Sequence, residues 1–78
     1  MTLLEIAQRV DARGLSCPLP IVRTAQAIKT LTSGQLLEVI ATDPGAVKDF
    51  AAWSKATGNA LVETSSDAGV YRFVISRK

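Results

Sequence analysis

The period of the hydrophobic positions changes several times along this chain, and the changes divide it into elements. Leu4, Ile6 and Val10 share a parity ahead of Gly14, with Gln8 breaking the alternation, which predicts a strand within about residues 5–12. From Pro18 to Thr32 the period is helical. Ile21, Thr24, Ala25, Ile28, Leu31 and Thr32 fall on one side, Arg23, Gln26 and Thr30 opposite, and Lys29 at the boundary. Ser33-Gly34 stops this helix, with Gly34 as a left-handed cap. Gln35 to Thr42 carries apolar residues on both parities, as an interior strand parallel to the first would. Asp43 and Pro44 then suit the N-cap and first residue of a second helix. Its buried side would be Ala46, Val47, Phe50, Trp53, Ser54 and Thr57, its outer side Lys48, Asp49, Ala52, Lys55 and Ala56, and its end Gly58-Asn59. Ala60 to Ser65 and Val70 to Ser76 read as strands joined by turn chemistry at Asp67-Ala68-Gly69, a hairpin with Tyr71, Phe73 and Ile75 on one parity.

The order is therefore β-α-β-α-β-β. Right-handed crossovers place both helices on one face of the sheet. The expected fold is α+β, a two-layer α/β sandwich with a mixed four-stranded sheet. At 78 residues the chain is too short for two cores, so residues 1–78 are expected to form a single domain.

Composition excludes several kinds of chemistry. The longest apolar runs fall far short of the roughly 20 residues of a membrane span, and Met1-Thr2-Leu3-Leu4 lacks the basic start of a secretory signal. A single cysteine allows no internal disulfide, which fits a reducing cytoplasm. With no histidine beside that cysteine there is no ligand set for zinc, and no metal or cofactor is expected. The net charge of +2 and pI near 9.0 come without a Lys/Arg run, so neither nucleic acid nor a membrane is expected as a direct partner.

What chemistry there is gathers in Arg13-Gly14-Leu15-Ser16-Cys17-Pro18-Leu19-Pro20, which holds the one cysteine and two of the three prolines. With Pro18 as the first helical residue, Cys17 becomes the N-cap and Pro20 the third helical position, where a missing N–H breaks no helical bond. The Leu19 N–H would then lie near the Cys17 sulfur. A thiol so placed meets the positive end of the helix dipole, which predicts an accessible Cys17 with a lowered pKa.

These residues carry a family likeness. Asp11-x-x-Gly14-Leu15-x-Cys17-Pro18-x-Pro20, followed by Thr42-Asp43-Pro44 with Asp49 a turn later and the Gly58 stop, resembles the TusA/SirA-like sulfur-carrier family over nearly the whole chain. The resemblance implies strand order 1-2-4-3, a fold like the C-terminal domain of translation initiation factor three. It also implies a function. Cys17 would accept sulfane sulfur from a cysteine desulfurase or rhodanese-like donor, hold it as a persulfide and pass it to an acceptor protein. Such relays serve 2-thiouridine formation in tRNA, molybdenum-cofactor assembly or sulfur oxidation. Gly14, Pro18 and Pro20 carry over as structural support of the site.

Beside that reading stand plainer ones. Cys17 as a small buried hydrophobe conflicts with a position just ahead of a proline. Asp11 reads as a loop-bracing acceptor more readily than as a base, and Arg13 as either a solvated charge or a modulator of the thiol. Asp43 reads as a cap without chemistry of its own, and Phe50 and Trp53 as core. Leu15, Leu19 and Arg23 are candidate docking residues, with Lys48 on the second helix as the next place to look. The absence of histidine suits a carrier, in sulfurtransferase-type chemistry completed by a partner, better than a self-sufficient cysteine hydrolase. A monomer is expected. The alternative function is thiol redox regulation through Cys17, which would need a partner thiol to resolve it. A nucleic-acid module is disfavoured because the aromatics are needed in the core.

Overall fold

The computed structural model describes residues 5–78, so Leu4 lies outside the described residues. The chain runs β1 (Ile6–Ala12), α1 (Leu19–Ile28), β2 (Leu36–Ala41), α2 (Ala46–Thr57), β3 (Ala60–Asp67) and β4 (Val70–Ser76). The strands form one sheet in the order β1-β2-β4-β3. β2 lies parallel to β1, with Val39 opposite Val10 and Ala41 opposite Ala12. β4 lies antiparallel to both β2 and β3. The interior position of β2 explains its doubled apolar pattern: Leu37, Val39 and Ala41 are fully buried beneath the helices, and Glu38 is buried on the opposite parity.

The two helices cover one face, and their buried sides meet the alternate residues of the strands. Phe50 of α2 carries the centre of this core. Its ring stacks on Phe73 of β4 with centroids 4.4 Å apart, and Trp53 meets it edge-on at 6.3 Å. Ala12, Leu37, Ala41 and Ile75 pack from the sheet, and Ala27, Ile28, Leu31 and Ala46 from above. Trp53 is only half-buried; Val47 and Thr57, expected inside, are exposed.

Both helices are shorter than their sequence periodicity suggests. α1 ends at Ile28 rather than Thr32, because the chain tightens there: the Thr30 N–H bonds to Ala27 O and the Leu31 N–H to Ile28 O. The Arg77 guanidinium, arriving from beyond β4, donates to the carbonyls of Leu31 and Lys29. Gly34 consequently serves the turn into β2, where its N–H bonds to Arg77 O at 2.8 Å, and does not cap α1. α2 starts at Ala46 with Gly45 as its N-cap; Asp43 and Pro44 precede it. The β3–β4 turn places Ala68 and Gly69 at φ +50° and +81°. Two positive φ values in succession match the twist of a tight hairpin, and glycine meets the second without strain.

On the face away from the helices, Glu38 accepts from Arg9 at 2.9 Å and from Arg72 at 2.5 Å, and Arg72 also reaches Glu63 at 2.5 Å. Burial by itself would raise the Glu38 carboxyl; the bonds from Arg72 and then Arg9, with their charges, hold it below the usual glutamate value. A carboxylate depressed in the folded state stabilises above its unfolded pKa, near 4.3, and loses that contribution as pH falls through the folded value. Glu38→Gln should therefore be less stable than wild type at pH 7, and the gap in urea midpoint should close below about pH 4. A gap independent of pH would show that the charge of Glu38 contributes nothing.

Candidate functional site

The loop between β1 and α1 is shaped by its own residues and then tied to the loop after β2. Gly14 sits at φ +78°, a conformation that costs a side-chain-bearing residue, and no neighbour limits the space around it, so backbone geometry accounts for the glycine. Its N–H donates to Thr42 Oγ1 at 2.9 Å. The Cys17 N–H donates to Asp43 Oδ2, also at 2.9 Å, and the other Asp43 oxygen accepts from the Gly45 N–H at 3.3 Å. Asp43 thus braces the cysteine loop in place of capping α2. At the loop's start, Asp11 accepts from the Arg13 backbone and from two nitrogens of its guanidinium. That pairing holds the Asp11 carboxyl down at about 2. Arg13 therefore offers its charge to Asp11.

Cys17 is exposed and free. It is not the N-cap of α1. Pro18 takes that position, the first helical bond runs from the Val22 N–H to Pro18 O at 3.1 Å, and Pro20 is the second helical residue. The Leu19 N–H does not point to the sulfur; it bonds to Ser16 O at 2.9 Å. The hydrogen bond to Asp49, partial desolvation and the charges of Asp49 and Asp43 push the Cys17 thiol up, opposite to the lowering expected from the sequence. Alkylation of Cys17 by iodoacetamide should accordingly show a midpoint above the reference cysteine value of about 8.5. A midpoint below it would contradict this electrostatic picture.

Asp49 is the functional candidate whose position the sequence misplaced. Helical periodicity put it on the outer side of α2, yet it is half-buried, and its charge acts on the Cys17 thiol. The signal available was its place one turn after Thr42-Asp43-Pro44. Leu19 and Val22 of α1 and Val47 of α2 are exposed apolar side chains. Arg23 is exposed as well, whereas Leu15 turns half into the core. Among the described residues no group of three or more acidic, cysteine or histidine side chains forms a metal site. No described helix is long and apolar enough to cross a membrane.

Fold and site together define a small two-layer α/β domain that presents one exposed thiol on a braced loop ahead of its first helix. Comparison with known proteins assigns this class. The family model described as "Sulfurtransferase TusA" matches residues 8–77, and the chain belongs to this TusA family of sulfur carrier proteins. It is 48% identical over 75 residues to the sulfur carrier protein TusA of Allochromatium vinosum, covering 96% of this chain and 99% of that one. It is 50% identical over 68 residues to the putative sulfur carrier protein YrkI of Bacillus subtilis, covering 87% and 91% of the two chains. The crystal structure of a SirA-like protein from Desulfitobacterium hafniense superposes with a TM-score of 0.78 at 24% identity, over 88% of this chain and 95% of that one, and shares the fold.

Proposed function

We propose that Cys17 accepts sulfane sulfur as a persulfide and relays it to an acceptor protein. The observation that carries this reading is the lone exposed thiol. With a single cysteine in the chain, no second thiol can discharge a Cys17 persulfide from within. The sulfur stays until a partner's thiol removes it, which is what a carrier requires. A sulfur donor of the cysteine desulfurase or rhodanese type and a downstream acceptor protein follow from the family, in a reducing compartment such as the cytoplasm. Formation of 2-thiouridine in tRNA, cofactor assembly and sulfur oxidation are the processes such a relay would feed. Gly14, Pro18 and Pro20 serve the site by fixing loop and helix start. Asp11 and Arg13 act on loop shape through their mutual pairing. The docking face comprises the Gly14–Leu19 loop with Leu19 and Arg23.

The alternative, redox regulation through Cys17, would need a partner thiol to resolve the oxidised sulfur. Mass spectrometry after incubation with a persulfide donor, and separately with peroxide, discriminates the two. A Cys17 adduct of one sulfur atom formed readily, with slow oxidation, supports the carrier. Rapid gain of oxygen without gain of sulfur overturns it.

A further inference from the structure

The loop that bears Cys17 is built as two turns in succession. The Leu15 N–H bonds to Ala12 O at 3.2 Å and closes the first; the Leu19 N–H bonds to Ser16 O at 2.9 Å and closes the second. Each turn sends one inner N–H out to another part of the chain. That of Gly14 goes to Thr42 Oγ1 and that of Cys17 to Asp43 Oδ2, both at 2.9 Å, across 28 and 26 residues of sequence. Parallel pairing makes this meeting possible: Ala12 lies opposite Ala41, so the residues that follow β1 and β2 leave the sheet side by side. Among the described residues no other hydrogen bond joins the backbone of residues 13–17 to a distant part of the chain. Packing holds only the first turn, where Leu15 is half-buried against the core; Ser16, Cys17 and Pro18 are exposed.

From this arrangement we propose that Thr42 and Asp43 are positioning residues for sulfur transfer, a two-point clamp that fixes where the Cys17 sulfur stands when a partner's site closes on it. The proposal rests on the persulfide reading above. Loading exchanges one sulfur atom: R–S–SH + Cys17–SH → R–SH + Cys17–S–SH. The Cys17 sulfur attacks the outer sulfur of the donor and forms the new S–S bond. The donor's S–S bond breaks with its electron pair on R–S⁻, and the thiol proton passes through solvent to that thiolate. No external oxidant or reductant is needed.

Attack requires the reacting sulfurs to be aligned and about 3–3.5 Å apart. A small free donor turns until it meets that requirement. A persulfide held in a protein's site cannot, so the exposed thiol has to reach it in one orientation. A misplacement of about 1 Å can then cost about a hundredfold in rate. Thr42 and Asp43 act on that orientation through the backbone N–H groups of Gly14 and Cys17.

Thr42 gives the sharper test, because its substitution changes no charge near the thiol. Thr42→Val keeps the shape of the side chain and removes the acceptor, whereas Thr42→Ser keeps the acceptor. A cysteine desulfurase charged with persulfide serves as protein donor, and single-turnover loading is followed against protein concentration. In Thr42→Val the saturating rate should fall by roughly ten- to a hundredfold. The half-saturating concentration and the rate of alkylation by iodoacetamide should stay at wild-type values. Thr42→Ser should recover most of the saturating rate. A wild-type saturating rate in Thr42→Val, or a loss that Thr42→Ser shares equally, would overturn the proposal. Alkylation slowed in the same proportion would also overturn it, since the bond would then tune the thiol and not its position. Wild-type protein provides a check independent of variant folding. Relative to their free-peptide rates, the amide hydrogens of Gly14 and Cys17 should exchange more slowly than that of Ser16 in the same loop, and equal protection of all three would contradict the clamp. Wild-type protein that takes sulfur from neither the desulfurase nor glutathione persulfide would overturn the persulfide reading itself. Loading by the desulfurase no faster than by glutathione persulfide at equal concentration would overturn the clamp alone, because placement of the thiol would then confer nothing.

Discussion

Cys17→Ser is expected to abolish sulfur loading while leaving the fold in place. The side chain is exposed, and the loop is held by the backbone N–H of residue 17 on Asp43, which serine retains. Surface substitutions that break no buried contact usually change stability by no more than about 0.5 kcal/mol. Circular dichroism, thermal midpoint and affinity for a donor protein should thus match wild type, and persulfide labelling should fall to background. Residual labelling of the serine protein would place the sulfur elsewhere in the chain, and a large loss of stability would mean that Cys17 is a packing residue. Reversal of charge at Arg23 makes the complementary test. Loading by a small persulfide should be normal and loading by a protein donor slower, most visibly at low salt.

The largest effect on stability is expected at Phe50. Its side chain is fully buried, stacked on Phe73 and edged by Trp53, so it joins the second helix to the middle of the sheet. Phe50→Ala should cost about 3–5 kcal/mol, from lost transfer energy and the cavity left behind. For a domain of this size that is a large part of a total of about 5–15 kcal/mol. The thermal midpoint should drop by well over 10 °C, at roughly 4–8 °C per kcal/mol. A shift of only a few degrees would show that Trp53 and Ile75 close over the gap.

Those two positions differ in how plainly the chain announces them. Phe50 was legible as core because helical spacing places it with Ala46 on one side of α2. The element order was legible too, since each change of period coincides with a glycine or proline that turns the chain. The ends of the helices were not. α1 stops at Ile28 partly through Arg77, almost fifty residues further on, and no local pattern shows a guanidinium arriving on those carbonyls. The thiol follows the same rule. Its exposure could be argued from Cys17-Pro18, but its acidity could not. The dipole argument is local to α1, whereas Asp43 and Asp49 belong to the next loop and helix and reverse its sign. Helical periodicity assigns a residue to a side of its own helix and leaves open that a neighbouring loop can fold over that side. This is how Asp49 came to read as solvated while being half-buried.

The central claim is that Cys17 carries sulfur between proteins, and a single-turnover chase tests it most directly. Wild-type protein is loaded with isotopically labelled sulfane sulfur, freed of donor by gel filtration and mixed with an acceptor protein bearing a reactive cysteine. The account predicts that the label leaves Cys17 and appears on the acceptor cysteine in equal amount, with Cys17 returned to the free thiol. Label that stays on Cys17, or that is released as sulfide without reaching the acceptor, would contradict it.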